Sequence, residues 1–151
     1  MPLRTIVKYW LPVLLWMGFI FWMSTGMFSA QNTFDFFHRL LRSVDPAISN
    51  SMVRLINNSL RKAGHVTEFF ISGMLVFRGF RAGSNQPRML RWAMFSIVFI
   101  VLFAASDEYH QSFVASRTAS VLDVCIDTGG GVLAIFYSML RQYRKGRGRK
   151  G

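Results

Sequence analysis

In 151 residues the chain carries 52% apolar and 15% aromatic side chains but only 17% charged ones. That length admits one domain or two very small ones, and the apolar content excludes a disordered chain over most of its length. A single cysteine, Cys125, excludes an intramolecular disulfide framework and a cysteine-rich zinc site. The charge is one-sided, 18 Lys and Arg against 7 Asp and Glu for a formal +11, so the reading turns on where the charges fall.

From Tyr9 to Phe34 there is no charged residue, and Trp10 to Phe28 is almost wholly apolar. About 20 helical residues cross a hydrocarbon core of about 30 Å, so this run reads as a membrane span. A signal peptide is the competing reading, because Arg4 and Lys8 precede the run. The run is longer than an h-region of about 7–15 residues, however, and Ser24-Thr25-Gly26 is a poor cleavage site. Trp10, Trp16 and Trp22 recur every six residues, a pattern expected of interface anchors or lipid-facing packing.

The connection from Ser29 to Arg61 has helical periodicity of its own. Phe34, Phe37, Leu41 and Val44 share one face, and after Asp45-Pro46 the residues Ile48, Met52, Leu55 and Ile56 repeat the pattern. Two short amphipathic helices are expected there, lying in the interface or packed over the mouth of a bundle.

Three further apolar runs follow: Ala63 to Phe77, Trp92 to Ser106, and Thr118 to Leu140. Four such runs leave too little polar surface for a soluble helical protein. The expectation is an all-α integral membrane bundle of four transmembrane helices at about 9–28, 63–80, 91–110 and 119–140, with amphipathic interfacial helices in the first external loop. Residues 1–140 form a single transmembrane domain in this reading, and 141–151 a basic tail.

Orientation follows from the basic residues. Arg4, Lys8, Arg78, Arg81, Arg88, Arg91 and the tail residues Arg141, Arg144, Lys145, Arg147, Arg149 and Lys150 put 12 positive charges on one side. Arg39, Arg42, Arg54, Arg61, Lys62 and Arg117 put 6 on the other. The richer side is expected to be cytoplasmic, with both termini inside. A basic tail beside a span suits attraction to anionic lipids rather than to nucleic acid, since no recognition fold precedes it.

Five of the seven carboxylates, Glu68, Asp107, Glu108, Asp123 and Asp127, lie within or at the ends of spans, with His65 and His110 beside them. Ionisable groups inside a span are costly and mark a functional site by default. At about 1.5 Å per residue, His65 and Glu68 stand roughly 20 and 15 Å above Arg78, Asp107 and His110 roughly 24 and 28 Å above Arg91, and Asp127 and Asp123 roughly 21 and 27 Å above Arg141. Three helices counted separately thus place their polar groups in one layer of the outer half of the bilayer. His65 with Glu68, Asp107 with His110 and with Gln111, and Asp123 with Asp127 are spaced i,i+3 or i,i+4, so each pair shares a helix face. Facing one another, they form a polar pocket with Arg117 as its nearest cation and Arg61 and Lys62 at the rim. Gly129-Gly130-Gly131 is expected to permit close helix approach, because no strand precedes it to make a phosphate loop.

These residues resemble the VanZ-like membrane family. Lys62-Ala63-Gly64-His65-Val66-Thr67-Glu68-Phe69 is similar to its K-x-G-H-x-x-E-[FY] motif, and Asp107 to Phe113 to its D-E-x-H-Q-x-F motif. Arg117 and Asp123 fit R-x5-D, and Gly130 takes the glycine of the closing D-x3-N-x2-G. The likeness covers about residues 60–131. Asp127 stands where the family usually has Asn, adding a negative charge to the pocket, and Ala115-Ser116 replace the usual Pro-Gly before Arg117. The resemblance implies a small bacterial inner-membrane protein of the cell envelope. It also implies a link to low-level antibiotic resistance against teicoplanin, a lipid-tailed glycopeptide.

Three functions fit the pocket. In the first, Arg117, Lys62 and Arg61 hold phosphate or carboxylate groups of a lipid-linked cell-wall precursor or lipoglycopeptide, the acids orient those cations and His65, and the substrate-binding set is Lys62, Gln111, Arg117, Asp123 and Asp127. In the second, His65, Glu68, Asp107 and His110 form an acid/base cluster or ligate a divalent metal in a hydrolase or transferase acting on a lipid-linked substrate. Their spacing matches neither a di-metal bundle nor a zincin, and no motif specifies a cofactor. In the third, the polar layer only pairs with itself to fix helix register.

Overall fold

The computed structural model describes residues 3–25, 29–82, 88–113 and 120–148, and among these the fold is all-α, without strands. Five helices follow in order: α1 (Leu3–Met23), α2 (Ala30–Val44), α3 (Asn50–Arg81), α4 (Met89–Ser112) and α5 (Val121–Arg147). Serines start three of them. Ser29, Ser49 and Ser120 accept hydrogen bonds from the backbone N–H groups of Asn32, Met52 and Leu122, satisfying donors that a first helical turn leaves unpaired.

By length and composition three helices can cross a membrane: Leu3–Met23, Met89–Ser112 and Val121–Lys145. Little of their apolar surface is turned inward, as only 11%, 28% and 28% of their most apolar windows are buried. Leu14, Leu15, Leu102 and Leu133 all point away from the bundle. Pro12 sits inside α1 without ending it, as apolar membrane-type helices commonly tolerate.

The apolar run at 63–77 belongs to α3, which is not among those three. It carries Arg54, Arg61, Lys62, Glu68, Arg78 and Arg81 along its 32 residues. None of them is buried: α3 touches each of the other four helices through residues such as Val53, Phe69, Val76 and Phe77, while Arg54, Lys62 and Arg78 are exposed and Arg61, Glu68 and Arg81 half-buried. The segment expected as a second short amphipathic helix after Asp45-Pro46 is the start of α3 itself, because nothing after Ser49 interrupts the helix. The first amphipathic helix is α2. It has no buried residue and rests on α3 through Asn57 Nδ2 donating to the Ala30 carbonyl at 3.2 Å, and through Arg54 over the Phe34 ring at 4.6 Å.

Contacts along the bundle set the directions of the helices. α1 runs antiparallel to α3, with Arg78 Nη2 donating to the Lys8 carbonyl at 3.4 Å and Trp16 Nε1 to the Glu68 carbonyl at 3.0 Å. Trp16 is therefore an interhelical tie rather than a lipid-facing anchor. Trp10 also packs inward, against Phe80 at a ring separation of 5.0 Å, whereas Trp22 is exposed. α4 rises beside α1, with Phe21 stacking on Phe103 at 5.6 Å.

The core is Val13, Ile20, Phe69, Val76, Phe77, Ile100, Phe103 and Ile135. Lipid is as apolar as leucine, so close packing rather than burial from water must hold such helices together. Glycine supplies that closeness between α3 and α5. A Cβ on Gly73 would overlap the Gly131 carbonyl oxygen and one on Gly130 would lie 2.7 Å from the Val66 oxygen, while toward α4 one on Gly131 would lie 2.5 Å from Ile100 Cγ2. Gly129 faces open space, so two of the three consecutive glycines do the packing.

Candidate functional site

The close approach of α5 to α3 at Gly130 lies one helical turn from the polar residues and brings their side chains within reach. His65 on α3 places Nδ1 3.6 Å from Asp127 Oδ2 on α5 and 4.0 Å from Glu68 Oε2 on its own helix. Asp107 enters from α4 and is completely buried. One ligand-type atom from each of His65, Asp107 and Asp127 lies within 4.8 Å of the others.

Gln111 holds Asp107 in place. Its Nε2 donates to Asp107 Oδ2 at 2.7 Å, one helical turn back, and to Ser24 Oγ at 3.3 Å at the end of α1. Both Gln111 and Ser24 are buried, so this bridge links α1 to α4 in a low-dielectric setting. Glu108, one residue past Asp107, turns the other way and accepts the backbone N–H of Ser120 at the start of α5.

Two cavities meet at this cluster. The polar one, about 380 Å³, is lined by Ala30, Asn58, Arg61, Lys62, His65, Glu108, Gln111, Asp123, Ile126 and Asp127. The second, about 230 Å³, lies under α2 and is lined by Met23, Ser24, Thr33, Phe37, Leu60, Arg61, Gly64, His65 and Glu68. Arg61 and His65 border both.

Of the residues singled out from the sequence, Lys62, His65, Gln111, Asp123 and Asp127 line the polar cavity. Asp107 backs it through Gln111, while Glu68 faces the cavity under α2. His110 stands apart: its ring packs on Phe21 at 5.1 Å, and its buried Nδ1 has no hydrogen-bond partner among the described residues. The metal-type set is accordingly His65, Asp107 and Asp127, without Glu68 or His110. Arg117 lies outside the described residues.

The sequence places Glu108 among the carboxylates of the polar layer but its spacing assigns it no partner, and it misses Ser24 altogether as part of the site. Helical periodicity puts Glu108 on a different face from Asp107, and nothing about Ser24 distinguishes it from any serine at a helix end. Only the arrival of α5 and α1 recruits them.

No curated protein and no solved structure gives a significant match to the chain. A family model does match, over residues 9–142, which include α1 from Tyr9 onward, the whole polar cluster and most of α5. With its apolar helices pointing to a membrane protein, the chain belongs to the VanZ/LLP1 family.

Proposed function

We propose that the protein binds an anionic, lipid-tailed ligand of the bacterial cell envelope, a lipid-linked precursor or a lipoglycopeptide, at the outer face of the cytoplasmic membrane. The observation that carries this reading is a pair of neighbouring cavities that share Arg61 and His65 in their linings. The polar cavity carries Arg61 and Lys62 beside the carboxylates of Glu108, Asp123 and Asp127, and its Arg61–Lys62 edge supplies the donors for a phosphate or carboxylate headgroup. The adjoining cavity contributes Met23, Phe37 and Leu60 to the first segment of a chain.

In this reading α3 completes a four-span bundle, both termini are cytoplasmic, and the tail from Arg141 lies against anionic lipid. Sequestering a lipid-tailed antibiotic at that face gives low-level glycopeptide resistance directly.

The test is equilibrium binding of a fluorescent polyprenyl phosphate to the purified protein in detergent. A hydrogen bond to a charged group contributes about 1.5–3 kcal/mol, and each 1.4 kcal/mol is tenfold in affinity. Saturable binding that weakens about tenfold or more in Arg117→Ala is expected. Equal affinity in the variant overturns Arg117 as the headgroup ligand, and absence of saturable binding overturns the reading.

A second reading rests on the His65–Asp127 contact at the cavity wall. A carboxylate beside an imidazole is an acid/base pair, and with an enclosed lipid-linked ester or amide it makes a hydrolase or transferase. Turnover of the same probe, lost in His65→Gln, distinguishes it from binding alone.

A further inference from the structure

The cluster of His65, Asp107 and Asp127 gathers two buried carboxylates around one imidazole, and His65 and Asp127 share a cavity wall with Arg61 and Lys62. Asp107 is fully buried and Asp127 is 2% exposed, on two helices apolar enough to cross a membrane. Uncompensated charge in such surroundings is strongly disfavoured. Gln111 donates to Asp107 Oδ2 but brings no charge. Among the described residues, Asp107 Oδ1 and Asp127 Oδ1 are both buried without a hydrogen-bond donor. Within the cluster itself, one imidazole stands against two carboxylates.

The three residues come from three different helices, yet each brings a ligand atom within 4.8 Å of the other two. Ligands about 2.0–2.2 Å from a metal stand some 3–4 Å apart. His65 Nδ1 and Asp127 Oδ2, at 3.6 Å, already have that spacing, and the Asp107 oxygen needs only a small side-chain movement to join them. One imidazole nitrogen with two carboxylate oxygens is a donor set for a first-row divalent cation, Zn²⁺ or Mn²⁺, rather than for Ca²⁺, which takes 6–8 oxygens.

We infer that His65, Asp107 and Asp127 form a binding site for one divalent transition-metal cation. The ion's charge balances both carboxylates with a neutral histidine. Gln111, bonded to Asp107 Oδ2, orients that ligand from outside, as outer-shell partners do in other metal sites. Two of the three ligands, His65 and Asp127, line the 380 Å³ cavity, so an ion held there would be reached from it. Completion of the coordination by a ligand's anionic oxygen rests on the proposed function; the cation site itself does not.

The test uses the full chain in detergent, stripped with a chelator, re-exposed to ZnCl₂ or MnCl₂ alone and passed through gel filtration. Retained metal and the melting temperature are then measured. About one ion per chain and a rise in melting temperature with metal concentration are expected. Asp127→Asn, Asp107→Asn and His65→Gln are each expected to weaken retention about tenfold or more. His38→Gln, on the exposed face of α2 and bonded to Asn50, is expected to retain the ion and controls for surface histidines. Should Asp107→Asn fail to fold, the near-isosteric Asp127→Asn and His65→Gln decide. No retained metal, or undiminished retention in those two variants, overturns the site.

Discussion

At the scale of single residues, the site is built from side chains that need one another. Asp107 is held by Gln111 at 2.7 Å, and Gln111 in turn reaches Ser24 at 3.3 Å. Removing the amide in Gln111→Ala leaves a buried carboxylate oxygen without its donor. Polar contacts between membrane helices average about 0.6 kcal/mol, whereas hydrogen bonds to buried charged groups run to about 1.5–3 kcal/mol. The expected loss is about 1–2 kcal/mol, read as a lower midpoint in denaturing detergent. Ser24→Ala, which leaves the Asp107 contact intact, is expected to cost less. Equal losses would mean that the Ser24 end of the bridge carries the energy.

Much of this chemistry was legible in the chain because i,i+3 and i,i+4 spacing fixes what shares a helix face. Asp107 with Gln111 and His65 with Glu68 are such pairs, and the structure brings each into contact or close to it. Spacing within one helix is silent about rotation between helices. For that reason the sequence grouped His110 with His65, whereas packing turns His110 toward Phe21 and selects Asp127 instead.

At the scale of elements, the α3–α5 seam determines the width of the site. Gly129 and Gly130 are neighbours of identical chemistry with opposite surroundings. Alanine exceeds glycine in helix propensity by about 1 kcal/mol, so Gly129→Ala, with nothing within 4 Å of its added methyl, is expected to be neutral or stabilising by up to about that amount. Gly130→Ala would set its methyl 2.7 Å from the Val66 carbonyl oxygen, a backbone atom that cannot swing aside. Overpacking of this kind costs about 1–3 kcal/mol and outweighs the propensity gain. It would also push Asp127 away from His65. Unfolding midpoints of the two variants in detergent check the opposite signs; a stabilised Gly130→Ala would contradict the seam.

Helix existence was legible from the apolar runs, because a span must satisfy its own backbone. Helix extent was less so. A break after Asp45-Pro46 was readable, but the continuity of α3 from Asn50 to Arg81 was not, since its amphipathic first part and its buried second part have different periodic signals. The inward roles of Trp10 and Trp16 depend on Phe80 and on the Glu68 carbonyl, neither of which their six-residue spacing reveals.

At the scale of the whole molecule, three outward-facing apolar helices surround a more polar α3, and the polar cluster lies toward the end of the bundle covered by α2. This division separates two kinds of apolar surface. Leu14, Leu102 and Leu133 face outward and line neither cavity, while Phe37 and the half-exposed Leu60 line the cavity under α2. A ligand held by its headgroup beside Arg61 and Lys62 places its tail against the second set and not the first.

The most direct measurement is therefore photocrosslinking with a polyprenyl phosphate that carries a diazirine a few carbons from the phosphate, followed by mapping of the modified residues. The account predicts adducts concentrated at Met23, Phe37 and Leu60, competed away by unlabelled polyprenyl phosphate but not by the corresponding alcohol. Adducts spread over Leu14, Leu102 and Leu133, insensitive to that competition, would show lipid solvation alone and contradict a ligand site in the two neighbouring cavities.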